Sequence, residues 1–208
     1  MSTKLKILVF KIFIITFLVI ISLGVIAENR DSVVVSREYA LLPDYVKLQF
    51  AGGIGFISPG FGYTFFKQRL DITLFYGYLP SFLSTDDLHS ISLQFTGKLF
   101  KISLNKNVVL LPLNIGFFLH HNFGDEYWVT QPSHYPDDYY WWSPGRMGGV
   151  FLGGELKTKL LSKNTPASGL AFYFRVGSRG LYLTSAWDNE YINLSDILEL
   201  GFGVALYR

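Results

Sequence analysis

From Tyr45 to Arg208 apolar residues alternate with small, polar or charged ones, in segment after segment. A repeat of two is that of a β-strand with one apolar face, whereas a helix repeats near 3.6. The first segment puts Val46, Leu48, Phe50, Ile54 and Phe56 against Lys47, Gln49, Ala51, Gly53 and Gly55. Another sets Ile91, Leu93, Phe95 and Leu99 against Ser90, Ser92, Gln94, Thr96 and Lys98. The last sets Leu198, Leu200, Phe202, Val204 and Leu206 against Glu199, Gly201, Gly203 and Ala205. Turn residues divide this texture into eight expected strands, at 45–57, 60–66, 70–80, 89–104, 108–123, 147–161, 169–185 and 194–208. No stretch between them holds a helical period long enough to predict a helix.

Two closed sheets give such a pattern. A soluble barrel turns its apolar face inward and its polar face to water; a membrane barrel does the reverse. The polar faces here are rich in glycine and carry both signs of charge, for example Lys157 and Glu155 on one segment. A narrow eight-stranded interior admits small side chains and compact ion pairs. Water-facing strands have no such use for glycine, which weakens them. Segments of this length also suffice for a tilted membrane span. The expected fold is therefore all-β, an antiparallel up-and-down transmembrane β-barrel of about eight strands.

Composition narrows the function classes. Of 208 residues 50% are hydrophobic and 16% charged, which is the opposite of a disordered chain. A net charge of +2 with no basic cluster among exposed aromatics argues against a nucleic-acid partner. The absence of cysteine excludes disulfides, thiol catalysis and cysteine-bound zinc. No cofactor motif is present, and no metal site is assigned.

The N-terminus reads as a signal for export. Lys4, Lys6 and Lys11 precede the apolar run Ile12–Ile26, which closes on Val25-Ile26-Ala27. A basic start, an apolar middle and small residues before the cut mark a cleavable signal peptide. The run of 15 residues is short of the ~20 that a spanning helix requires. The expected organisation is a signal peptide at 1–27, a short leader at 28–44 and one barrel domain at 45–208. Cleavage leaves 15 basic and 16 acidic residues.

On these features the segment Tyr45–Arg208 resembles the small bacterial outer-membrane β-barrel proteins. That resemblance implies a place in the bacterial outer membrane. It also implies contact with outer-membrane lipid and lipopolysaccharide, and assembly by the barrel assembly machinery. Members of the class usually end on an aromatic residue; here Arg208 takes that position and Tyr207 falls one step early. With a periplasmic N-terminus, 67–69, 105–107 and 162–168 become periplasmic turns. The external connections are then 58–60, 84–88, 124–146 and 186–193. Three of the four external connections are long, as expected for such barrels.

Three clusters are candidates for function. The first is histidine with hydroxyl and carboxylate at the external end: His120, His121, Ser133 and Asp125. Imidazole takes a hydroxyl proton while a carboxylate orients the ring, the chemistry of a hydrolase or acyltransferase. The second is the loop 125–146, DEYWVTQPSHYPDDYYWWSPGR. Its Tyr127, Trp128, Tyr139, Tyr140, Trp141 and Trp142 suit either ligand recognition or an interfacial aromatic girdle. The third is an interior charge set of Lys47, Asp71, Lys98, Glu155, Lys157, Arg175, Arg179 and Glu199. An ion-pair plug is the expected role for it, because eight strands leave barely enough room for their own side chains. The leading expectation is a non-enzymatic outer-membrane barrel with a structural or surface-interaction role, its loop 124–146 the recognition element. One alternative is an enzyme acting on lipid A or phospholipid acyl chains. Another is a secreted soluble barrel holding a small apolar ligand.

Overall fold

The computed structural model describes residues 42–124, 126–130, 143–160, 167–187, 189 and 191–208. The expected signal peptide and nearly all of the expected leader lie outside them. The order is β1 (Tyr45–Ala51), β2 (Ile57–Phe65), β3 (Leu70–Leu79), β4 (Leu88–Lys98), β5 (Ile102–Ser103) and β6 (Val108–Phe123). Then follow β7 (Arg146–Lys159), β8 (Gly169–Arg179), α1 (Gly180–Trp187), α2 (Leu194–Ile197) and β9 (Glu199–Tyr207). Every strand pairing is antiparallel, and the ladder runs β4-β3-β2-β1-β9-β8-β7-β6 before β4 meets β6. The sheet is thus a closed eight-stranded barrel, with β5 a short extra rung on β6. Closure removes the unpaired edges that an open sheet would expose.

Burial follows the alternation. Lys47 and Gln49 are buried while Val46, Leu48 and Phe50 are exposed. Asp71, Thr73 and Phe75 are buried in β3, and Ser90, Ser92, Gln94, Thr96 and Lys98 in β4. Leu152 and Phe172 are 56% and 57% exposed, whereas Glu155 and Arg175 beside them are 4% and 2% exposed. The apolar face is therefore the outer one, and the polar and charged face fills the barrel.

Several boundaries differ from the sequence expectation. The first turn is not Ser58-Pro59-Gly60, which lies inside β2 opposite Gln49, Leu48 and Lys47. It is 52–56, where Gly52 and Gly53 have φ of 77° and 74°, a conformation open to glycine at little cost. Pro59 is tolerated because the β2–β3 ladder passes from Ile57 opposite Tyr78 to Gly60 opposite Phe75. That step spares the nitrogen that has no hydrogen to give. The expected strand 89–104 stops at Lys98 and resumes only as β5. The expected strand 169–185 ends at Arg179, where α1 begins, so the absence of helix is also corrected. Side-chain hydroxyls close the turns of α1: Thr184 donates to the Gly180 carbonyl and Ser185 to that of Leu181. Its eight residues bury none of their side chains, which is why no apolar period announces it. In β6 a register shift between Leu111 and Asn114 brackets Pro112, a bulge at a residue without an amide hydrogen.

The barrel ends differ in kind. At one end lie the chain ends of the barrel, the connections 66–69 and 99–107, and the described stems at 160 and 167–168. There the Asp44 carboxylate accepts from the Thr64 amide at 2.7 Å, and its carbonyl accepts from the Arg208 amide at 2.9 Å. At the other end lie 52–56, 80–87, the described stems 126–130 and 143–145, and the described part of 180–198.

Candidate functional site

The long-loop end opens on a cavity of about 480 Å³, walled by the glycine turn and by Ser90, His120, Asn122, Tyr127, Met147 and Arg179. The turn 52–56 folds across the mouth. Ile54 is buried at its tip, and its carbonyl accepts the Ser90 hydroxyl at 2.6 Å. Gly77 beneath it has no side chain for a reason: a Cβ there would meet the Ile54 carbonyl oxygen at 1.7 Å. Arg179 holds the turn from the other side, with its guanidinium donating to the Gly53 carbonyl and pairing with Glu199 at 2.9 Å.

Strand pairing sets His120 opposite Ser92 and Asn122 opposite Ser90. His120 Nδ1 lies 2.5 Å from Ser92 Oγ, and Nε2 lies 2.8 Å from Asn122 Oδ1. One neutral tautomer satisfies both contacts: Ser92 donates to Nδ1 and Nε2–H donates to Asn122. A hydroxyl held on an imidazole is the first requirement of an activated nucleophile. The second is access. Ser92 is 1% exposed and sits below the cavity, whose wall is made by His120 and Asn122 but not by Ser92. As built, the chain Ser92–His120–Asn122 satisfies three buried polar side chains and ties β4 to β6.

The other expected catalytic residues do not join it. His121 points to the opposite face, with Nδ1 2.6 Å from the Gly145 carbonyl oxygen and its ring edge-on to Phe123. Strand alternation makes that separation unavoidable for neighbours. Ser133 and Asp125 lie outside the described residues. Sequence reasoning missed Ser92 as the partner of His120. Its inward parity was readable, but the register of β4 on β6 was not.

Of the aromatic loop residues, Tyr127 borders the cavity, and the Trp128 carbonyl accepts the Ser143 hydroxyl at 2.5 Å and the Gly145 amide at 3.2 Å. These bonds fasten the two stems of the loop together. Tyr139, Tyr140, Trp141 and Trp142 lie outside the described residues.

Below the cavity the interior charges separate into groups. Lys98 lies 2.8 Å from Asp71 and 3.9 Å from Glu155, and Lys47 lies 3.7 Å from Asp71. Tyr207 donates to Glu155 at 2.8 Å, and the Lys157 ammonium stands 3.3 Å from the centre of the Tyr207 ring. Arg175 is set apart, its guanidinium 4.6 Å from the ring centres of both Phe118 and Phe151. Between them remains a cavity of about 20 Å³, room for roughly one water. The described interior is a packed plug of side chains.

Comparison with protein-family models, with characterised proteins and with solved structures finds no match to this chain.

Proposed function

We propose that this protein is exported by its signal peptide and spans the bacterial outer membrane, where it serves a non-enzymatic structural or surface-interaction role. One observation carries the reading: the large apolar side chains face outward while Lys47, Asp71, Lys98, Glu155 and Arg175 are buried inside. In water this arrangement wastes the hydrophobic effect; against lipid the outward apolar face is no longer exposed to water, while the buried charges are largely offset by one another inside the barrel. Aromatic side chains exposed towards the two ends support it: Phe66 and Phe100 at one, Tyr76 and Phe82 at the other. They flank the aliphatic band as interfacial belts do. A soluble carrier of an apolar ligand finds no support in a charged interior with about 20 Å³ of free space at its centre. The long loop 124–146 then faces the cell exterior and offers its aromatic side chains to a partner or to lipopolysaccharide.

The test is fractionation of cells expressing the full chain, with gel mobility compared before and after boiling. A mature protein in the outer-membrane fraction that migrates differently unboiled is the expected result. A periplasmic protein stable without detergent would refute the reading.

A lipid-acyl hydrolase is the second reading, and the contact between Ser92 and His120 is what favours it. The burial of Ser92 favours the non-enzymatic role. The expectation is that Ser92→Ala leaves the acyl pattern of lipid A and phospholipid unchanged in an overexpressing strain. A pattern that depends on Ser92 would reverse the order of the two readings.

A further inference from the structure

Arg175 is 2% exposed and stands near the middle of β8, between Gly153 of β7 and Gly201 of β9. None of its three guanidinium nitrogens has a hydrogen-bond acceptor among the described residues. A guanidinium keeps its charge and carries five N–H donors in one plane. When buried it is ordinarily met by a carboxylate or by several carbonyls. The rings of Phe118 and Phe151, each 4.6 Å from its central carbon, attract the charge but supply no acceptor oxygen. The interior cavity of about 20 Å³ lies against this side chain. Gln94 shares its wall, and the Gln94 amide nitrogen is likewise buried without an acceptor among the described residues. Two groups that border one small space thus hold unspent donors.

The charges around this space leave one positive charge over. Lys47 and Lys98 are answered by Asp71 and Glu155: Asp71 lies 3.7 Å from the first and 2.8 Å from the second, and Glu155 lies 3.9 Å from Lys98. Lys157 is only half-buried and borders the open hollow at the barrel end. Glu199, whose field also reaches Arg175, is paired with Arg179 at 2.9 Å. Two guanidiniums therefore share one carboxylate. A charge left over in a low-dielectric interior is costly. A water molecule satisfies donors but carries no charge, whereas a monovalent anion does both. The cavity has room for roughly one water, and a chloride ion is little larger; polyatomic anions such as phosphate exceed it. Glu155 is the one carboxylate in the described lining, and both the Tyr207 hydroxyl at 2.8 Å and the Lys98 ammonium are committed to it. We propose that the barrel interior is a binding site for a single halide ion, chloride in the cell, held by Arg175 and Gln94 as the counter-ion of the plug. The site lies inside the barrel whatever surrounds the barrel, so the inference does not depend on placement in a membrane.

The test refolds the full mature chain in detergent at fixed ionic strength, with gluconate, too large for the cavity, replacing chloride in steps. The unfolding constant measured in urea should fall about tenfold for each tenfold rise in chloride once the site is mostly filled. Bromide should act as chloride does. Arg175→Met should abolish the dependence, and Arg146→Gln, an exposed charge at the other end of β7, should retain it. Wild-type crystals grown in bromide give a second reading that needs no variant to fold: anomalous scattering should place one bromine peak beside Arg175. Unfolding that ignores chloride at fixed ionic strength overturns the proposal. A dependence that Arg175→Met keeps in full also overturns it, as does a cavity without a bromine peak, where water alone would fill the space.

Discussion

At the residue scale the barrel depends on how its buried charges are matched. Asp71 is fully buried and faces two ammonium groups, Lys98 at 2.8 Å and Lys47 at 3.7 Å. Removing its charge leaves two buried cations with Glu155 as their remaining acidic neighbour. Asp71→Asn is therefore expected to cost about 3–5 kcal/mol. Arg175 is a different case, since its charge rests on the faces of Phe118 and Phe151 rather than on a carboxylate. Its replacement by Met keeps the packing, leaves no partner stranded and should cost less than about 2 kcal/mol. Urea unfolding in detergent, followed by tryptophan fluorescence, separates the two variants; equal losses would contradict the matching described here. Parity along each strand made the inward position of these residues legible. Which charge meets which was not, because Asp71 on β3, Lys98 on β4 and Glu155 on β7 meet through the stagger of the whole barrel.

At the element scale the connections explain both the fold and the places where sequence reading failed. The connection 80–87 is fastened by Asp87, whose carboxylate accepts from the Ser81 amide at 2.6 Å and from the Tyr78 hydroxyl at 3.1 Å. The Ser81 amide first, and the Tyr78 hydroxyl after it, hold the Asp87 carboxyl below the usual carboxylate range. A depressed folded value means that this support is present above the ordinary range and is lost as pH falls through the lowered one. Protection of the Ser81 amide relative to its intrinsic exchange rate should thus fall in acid, and Asp87→Asn should remove that dependence. Protection that stays constant across the acid range would show that the carboxylate does not fasten the turn. β6 was legible in extent, since its bounds match the apolar run, yet Pro112 shifts its phase by a bulge that no alternation rule reveals. Ser58-Pro59-Gly60 has the composition of a turn, but the four residues Gly52, Gly53, Gly55 and Ala51 take the positive φ values and make the bend upstream. The helix α1 follows β8 without a break in composition; its start is set by where the barrel wall ends, which local sequence does not encode.

At the scale of the whole molecule the central claim is orientation: a barrel whose outside is its apolar side. Strand number, closure and the facing of each segment were legible because one repeat of two runs through the domain. The cavity with His120 was not, since β4 and β6 are joined across the closed sheet by a register that only the fold provides. The absence of cysteine makes the orientation directly measurable. Single cysteines at Leu170, Phe172 and Phe174, and at Ala171 and Tyr173, each carrying a small fluorophore, can be placed in vesicles whose acyl chains are brominated. Quenching by the bromine should alternate along β8, strong at 170, 172 and 174 and weak at 171 and 173. Quenching that is uniform, absent or of the opposite phase would contradict the account.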